Sequence, residues 1–472
     1  MSTVTVTPSD RPGSKRIIAW QLECPQANEF AVNPFVLSLS GSIVAPHERV
    51  SHLRLLFGTQ EVARISVERR NFWKKFQSAI ADPSRGISPL MVRRLASGLF
   101  ARNRGAEALG PGIQVSTSNR GNAFDATVPL LALPRKGTLR IETIFSGGAT
   151  QELCHLEYER PAISPPANDH NDYLRPLSLT AIGRSGGTWA MHLLSQHPCI
   201  LAIPKYPYEV TIARDIMEAA ISSCTCGIFQ ERIYQSHIRL LQDTIKDQLD
   251  DWIRHTVDSI SEEIASVVEA TLRGALRLIQ NCYLRRCQLV LRTGKTEPQP
   301  RYIIEKNLRP QRLFQELCPG AREIFLVRDF RDVICSSLAF NAKRGFLAFG
   351  RDDVKSDRQF VWHRAEMARP WILEPWRERC DTALLVKYEE LVRDQRSCLR
   401  AVLEYLELDA SAGTIDGMIQ RAHDRQEMLD GHMTAQSPEG SLGRWVRQLD
   451  PNLQEECRKA FAEFFDAFGY DV

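Results

Sequence analysis

Residues 179–189 read LTAIGRSGGTW, an apolar β-like run that passes into Gly-Arg-Ser-Gly-Gly-Thr and then a tryptophan. LSLTAI (177–182) predicts a buried strand, and Thr188 to Gln196 predicts a helix stopped by His197-Pro198. Strand, glycine-rich loop and helix in that order decide the fold class, because they place the loop at the carboxyl end of a strand. Glycine at 183, 186 and 187 allows backbone angles barred to other residues, so consecutive amides can turn onto one anion. The following helix adds the positive end of its dipole, and the Ser185 and Thr188 hydroxyls add donors. The loop therefore predicts a phosphate cradle. It is not a Walker A loop: G-x-x-x-x-G-K-[ST] is absent and no lysine follows the glycines, which argues against an ATP or GTP hydrolase. The cation within it is Arg184.

Beyond the loop, strand-like and helix-like stretches keep alternating. CILAI (199–203), EIFLV (323–327) and ALLVKY (383–388) read as strands, the last two leading into helices. Residues 229–283 read as a long helical region, with Ile264, Val267, Val268, Leu272, Ala275, Leu276 and Ile279 at helical spacing. Ser259 and Glu262 stand at capping-box spacing ahead of that stripe. The alternation predicts an α/β fold, a P-loop-like parallel sheet flanked by helices, whose ligands sit beyond the carboxyl ends of its strands.

A proline-rich break at RPAISPPANDHNDYLRP separates this part from what precedes it, so residues 161–176 are assigned as a linker. Residues 177–472 form the second domain, with a helical insertion at about 210–290. Residues 1–160 hold short runs with partial period-two alternation: RIIAWQLE, PFVLSLSGSIV, HLRLLFG, IQVSTS, DATVPLLAL and TLRIETIF. They predict an N-terminal β-sandwich-like accessory domain, interrupted by a mostly helical, basic insertion from 71 to about 108.

Composition narrows the function classes. Of 472 residues, 43% are hydrophobic and 25% charged, as in ordinary soluble globular proteins. Sixty basic against 57 acidic residues leave a net charge of +3, so no global field points to DNA or an anionic membrane. No nucleic-acid partner is expected, and an anion site must be local. The amino terminus lacks a signal-peptide pattern and no segment approaches the roughly 18 apolar residues of a membrane span, so a cytoplasmic location is expected. Twelve scattered cysteines fit reduced thiols. The spacing of Cys224, Cys226, Cys282 and Cys287 matches no standard zinc module, and no metal is expected.

A second stretch converges on the first. REIFLVRDFRDVICSS (322–337) places Arg328 at the end of an apolar strand and Ser336 eight residues on, within the next helix. The arginine can grip a phosphate bidentately, and the serine can reach the same group. Asp329, Arg331 and Asp332 occupy the first turn, where carboxylates suit the dipole or position the arginines.

These motifs resemble those of the sulfotransferase family that uses 3′-phosphoadenosine 5′-phosphosulfate (PAPS). GRSGGTW (183–189) resembles its 5′-phosphosulfate loop, and VRDFRDVICSS (327–337) resembles its 3′-phosphate motif, arginine-to-serine spacing included. EKNLRPQRLFQELCPGAREIFLVRD (305–329) resembles the family's lysine-led helix ahead of that strand. ALLVKYEELVRDQ (383–395) is similar to its late strand and YE(D/E)LV segment, and GSLGRWVRQL (440–449) to its Gly-Arg-Trp loop. The resemblance covers residues 177–472 and not the first 160.

The resemblance implies in-line sulfuryl transfer from PAPS, without a metal, to a hydroxyl or amine of a carbohydrate or small metabolite. It assigns Arg184 to the charge on the leaving phosphate, and Ser185, Gly186, Gly187, Thr188 and Trp189 to the 5′-phosphate end of the donor. Arg328 and Ser336 take the 3′-phosphate, and Gly443 and Arg444 belong to a loop over the nucleotide. The chain departs from the cytosolic small-molecule branch, which carries Lys-Thr-His where this one reads Glu305-Lys306-Asn307. It is closer in this respect to the bacterial, carbohydrate-modifying type. In that branch a glutamate after the second strand serves as base, which points to Glu209 in YPYEV, with Lys306 as a transition-state cation. Gly187 also departs, since many relatives carry a hydroxyl there. Two other readings remain open: a P-loop kinase-like transferase, and a catalytically silent nucleotide- or glycan-binding protein.

Overall fold

The computed structural model describes residues 3–8, 19–24, 35–45, 49–58, 60–69, 122–163, 174–203, 205, 207–225, 250–288, 299–309, 311–424, 431 and 433–471. The expected helical insertion at 71–108 and the IQVSTS run lie outside these residues, as does the middle of the linker.

The amino-terminal part is built from β1 (Thr3–Pro8), β2 (Ala19–Cys24), β3 (Val36–Val44), β4 (Val50–Phe57), β5 (Gln60–Ser66), β6 (Glu68–Arg69), β7 (Asn122–Pro129), β8 (Lys136–Phe145) and β9 (Thr150–Glu159). They form two antiparallel sheets, ordered β1-β9-β8-β4-β5 and β2-β3-β7-β6. Leu37 and Leu39 of one sheet and Leu53, Leu55, Leu139 and Ile141 of the other share one buried cluster, the inward-facing alternation of a sandwich. The polar TVTVTP start, assigned no structure from sequence, pairs as an edge strand on β9.

The parallel sheet comprises β10 (Arg175–Thr180), β11 (Ile200–Leu201), β12 (Tyr302–Lys306), β13 (Arg322–Val327) and β14 (Leu384–Lys387), in the order β11-β12-β10-β13-β14. Its flanking helices include α1 (Gly187–Leu194), α2 (Ile212–Thr225), α3 (Asp250–Gln288), α4 (Gln311–Leu317), α5 (Phe330–Arg344) and α6 (Asp357–Ala368). Leu177 and Leu179 of β10 are buried with Ile304 and Ile324, each such side chain contributing about 1.5–3 kcal/mol. From β10 the chain crosses to β11 on one side, whereas from β12 it crosses to β13 on the other. The loops after β10 and β13 therefore diverge and leave a crevice between them, where α/β sheets bind ligands.

Three sequence expectations need correction. The strand begins at Arg175, inside the assigned linker, and Pro176 is tolerated because the ladder to β13 starts one residue later, at Leu177. Lys306 ends strand β12 instead of leading a helix; YIIEK, three apolar residues followed by Glu305 and Lys306, is too short to show a period. Helix α3 runs unbroken from Asp250, so Ser259 lies inside it and caps nothing. Six of the seven stripe residues pack inward against α2 and its surroundings, but Val267 is 47% exposed.

The two parts are clamped together. Arg160 is fully buried, donating from Nη1 and Nη2 to Glu316 at 2.9 and 2.6 Å and from Nε and Nη2 to the Leu130 and Leu133 carbonyls, both at 3.1 Å. Removing the carboxylate strands a buried charge, so Glu316→Ala is expected to cost about 3–5 kcal/mol in urea unfolding, and Glu316→Gln less. An unchanged midpoint for the alanine variant would show that the clamp contributes nothing.

Among the described residues no helix is long and apolar enough to cross a membrane. Among the same residues, no group of three or more His, Cys, Asp or Glu side chains is placed to hold a metal ion.

Candidate functional site

The glycine-rich loop leaves β10 with unusual backbone geometry: Arg184 has φ 75° and Gly186 φ 88°. A non-glycine residue in the left-handed region costs about 1–3 kcal/mol and persists only when its surroundings enforce it. Here two arginines do so. Arg364 of α6, 6% exposed, donates from Nη2 to the Gly183 carbonyl at 2.9 Å, and Arg328 donates from Nη1 to the Arg184 carbonyl at 3.4 Å. In a trans peptide the carbonyl and the next N–H point opposite ways, so holding the Gly183 oxygen outward aims the Arg184 amide inward. Burial pulls the pKa of Arg364 down to about 10.

The helix ends at the two loops differ. Gly186 caps α1 without any side-chain bond, leaving its first amides to an anion. Asp329 caps α5 itself, accepting from the Arg331 amide at 2.9 Å. Anion capacity therefore lies at α1. Ser185 is completely buried and, among the described residues, its Oγ has no partner; Nε of Arg328 is likewise buried without one among them, and both fit an anionic group in the cradle.

The crevice brings the two motifs into contact. Arg184 Nε donates to Ser336 Oγ at 3.1 Å, and the Arg184 guanidinium lies 4.1 Å over Phe340. Arg328 donates to the Ser441 carbonyl, lies 4.8 Å over the Tyr388 ring, and has Asp332 at 3.9 Å. Burial raises the pKa of Asp332, opposed by Arg328 and by amides of Trp445 and Gly443.

Seven of the sequence-predicted residues line this pocket: Arg184, Gly186, Gly187, Thr188, Trp189, Arg328 and Ser336. Ser185 lies behind it. Gly443 and Arg444 also stand off its surface. The Gly443 amide donates to Asp332 at 2.7 Å, while Arg444, 3% exposed, donates to Thr434 Oγ1 at 2.9 Å. Arg444 thus reaches the pocket through Thr434, which in turn is 3.3 Å from Ser336 Oγ. Tyr388, Thr434 and Ser441 are wall residues that sequence reasoning missed. Tyr388 sat within the quoted YEELV segment, whereas nothing around Thr434 follows a motif.

At the other end of the cradle, Lys306 Nζ donates to Thr188 Oγ1 at 2.9 Å and to the Pro207 carbonyl at 2.6 Å, with Glu209 at 3.9 Å. The Glu209 side chain is 68% exposed. Buried His192 of α1 contacts the Tyr208 hydroxyl at 3.0 Å and so fixes the segment carrying Pro207 and Glu209. Next to Lys306, the buried Glu305 carboxylate accepts from the Ala213 amide at 2.6 Å and from the Tyr283 hydroxyl, tying α2 and α3 to β12. Burial raises the pKa of Glu305.

Burial lowers the pKa of Lys306 from 10.5 to about 8, with Glu209 opposing the shift. The ammonium form therefore predominates below about pH 8 and is lost above it. If Lys306 acts as a cation, kcat/KM, which reports the free enzyme, should fall as pH rises through about 8. Lys306→Arg keeps its charge and should abolish that limb even at reduced rate; a limb that persists would belong to another group.

Residues 175–469 match the sulfotransferase domain family. Among solved structures, sulfotransferase STF9 from Mycobacterium avium is 16% identical over 65% of this chain and 80% of that one, with a TM-score of 0.32. The sulfotransferase domain from the curacin biosynthetic pathway is 14% identical, covering 64% of this chain and 98% of its own, with a TM-score of 0.34. A mouse sulfotransferase solved with PAP is 12% identical over 39% of this chain and 70% of that one, with a TM-score of 0.26. No curated protein matches the chain by sequence.

Proposed function

Because this chain belongs to the sulfotransferase family, we propose that it transfers a sulfuryl group from PAPS to a hydroxyl or amine of a carbohydrate or another hydroxylated metabolite. The observation that carries this reading is the contact of Arg184 with Ser336 at 3.1 Å, which joins the two predicted phosphate motifs in one pocket containing Arg328.

The α1 amides and the hydroxyls of Ser185 and Thr188 receive the 5′-phosphate. Arg328 and Ser336 receive the 3′-phosphate, and Trp189 and Tyr388 offer aromatic surface to the nucleoside. The acceptor atom attacks sulfur as the bond from sulfur to the bridging oxygen breaks. Its proton passes to Glu209, and the electron pair leaves on the 5′-phosphate of adenosine 3′,5′-bisphosphate (PAP). Arg184 and Lys306 neutralise charge developing on that oxygen, a role in which loose transition states reward positioning and cations. With Gly187 in place of a hydroxyl residue, the cradle relies more heavily on Thr188, which Lys306 holds.

Calorimetry with PAP tests the donor: tight 1:1 binding by wild type and its loss in Arg328→Ala are expected, and absence of binding to wild type would refute the assignment. Transfer of labelled sulfate to a panel of sugars, phenols and amines then identifies the acceptor class. No product with any acceptor, despite PAP binding, would leave a silent nucleotide-binding protein as the correct reading.

A further inference from the structure

A cleft of about 970 Å³ lies between the amino-terminal β sheets and the parallel sheet, and it shares no wall residue with the nucleotide pocket. This volume is at the upper end of the range of small-ligand sites. One wall is the Phe57-Gly58 hairpin and the Leu133–Thr138 segment; the opposite wall includes Glu218, Arg309 and Trp371. The Arg160–Glu316 clamp and the shared burial of Phe35, Leu131 and Ile163 with Leu313 and Phe314 give the cleft a defined shape.

Its charges are unevenly committed. Arg379 is held by Glu323 at 2.7 Å and Glu378 at 3.1 Å, Arg312 by Glu378, and Arg377 by Glu463 at 3.0 Å. Among the described residues Arg309 has no carboxylate within ion-pair distance; its guanidinium lies 3.5 Å over the Trp371 ring, which is 41% exposed. Burial, aided by repulsion from Arg379 and Arg214 and opposed by attraction to Glu323 and Glu218, pulls its pKa down to about 10, so it remains charged at neutral pH and gains from an anion.

The rest of the wall limits which anion fits. Glu218, Glu374 and Glu378 also face the cleft, so a densely phosphorylated or sulfated ligand meets repulsion. Hydroxyl groups both donate and accept, and so suit a wall of mixed carboxylates, guanidinium groups and the Thr138 and Asn307 side chains. A single carboxylate suits Arg309, whose planar fork can bind it bidentately while stacked on the indole. We propose that this interdomain cleft binds a hydroxylated carboxylic acid of the sugar-acid class, gripped by Arg309 beside Trp371.

Calorimetry on the full chain with maltotrionate, which carries one carboxylate, and with maltotriose as its neutral counterpart, tests this. Wild type is expected to bind maltotrionate at least about tenfold more tightly than maltotriose, and Arg309→Met to lose about tenfold, the effect of one charge-assisted contact. Arg309→Lys should recover part of the loss. Thermal unfolding of each variant confirms that it is folded, a readout independent of PAP binding and sulfuryl transfer. The proposal is overturned if wild type fails to bind maltotrionate at about 10 mM, an affinity too weak to matter, or if maltotriose binds equally. Full affinity in a folded Arg309→Met variant overturns it as well.

Discussion

Arg184→Ala is expected to lower kcat by about two to three decades, the typical loss when one group stabilising developing charge is removed. Its guanidinium is the loop's own cation, and its contact with Ser336 at 3.1 Å places it between the two phosphate motifs. Arginine and alanine both carry a Cβ, so the cost of φ 75° is the same in the variant, and loop strain does not account for the loss. PAP affinity should change far less than kcat, because the proposed 3′-phosphate contacts, Arg328 and Ser336, remain in the variant. Arg184→Lys restores a cation without the planar fork and should recover only part of the rate. Single-turnover transfer of labelled sulfate, paired with PAP calorimetry, measures both quantities. Unchanged turnover would remove Arg184 from the chemistry, and parallel losses in rate and affinity would reduce it to a binding residue.

Gly186→Ala is expected to damage the cradle itself. A Cβ there would stand 2.3 Å from Cδ2 and 2.5 Å from Cε2 of Tyr388, well inside contact distance, and φ 88° would add backbone strain. Tyr388 cannot easily yield: it is 7% exposed, lies under the Arg328 guanidinium and has its hydroxyl 3.3 Å from Ser441 Oγ. Overpacking and strain together amount to about 2–5 kcal/mol, shared between lower stability and distorted nucleotide binding. A loss of PAP affinity beyond about 100-fold and a lower unfolding midpoint are the expected readings. Tyr388→Ala opens space for the methyl group, so the double variant should be more stable than the two single losses predict. Additive losses would mean that the ring is not what excludes a side chain at 186.

Much of the site was legible because its signals are local. Gly-Arg-Ser-Gly-Gly-Thr after an apolar run can be recognised within a dozen residues, and so can Arg328 ending a strand with Ser336 two turns later. Tyr388 and Thr434 were not legible as wall residues. Each acquires its place from a neighbour far away in the chain, Gly186 for the tyrosine and Ser336 for the threonine. Arg364 is a further case: an arginine on a helix, notable because its side chain bonds to the Gly183 carbonyl.

Short elements failed for a related reason. A five-residue strand such as Tyr302–Lys306 is buried along most of its length and shows no alternation, while Thr3–Pro8 is polar and becomes a strand through pairing with β9. Local chain chemistry, meaning hydrophobic period, glycine angles and the placement of arginine at strand ends, was enough to establish a strand–loop–helix unit with a glycine-rich turn and a second arginine motif beside a parallel sheet. Strand order lay beyond it: with β10 between β12 and β13, two loops some 145 residues apart open one crevice. That adjacency arises from burying both faces of β10 and satisfying its backbone bonds on both edges, a condition met by the folded whole and written in no single segment.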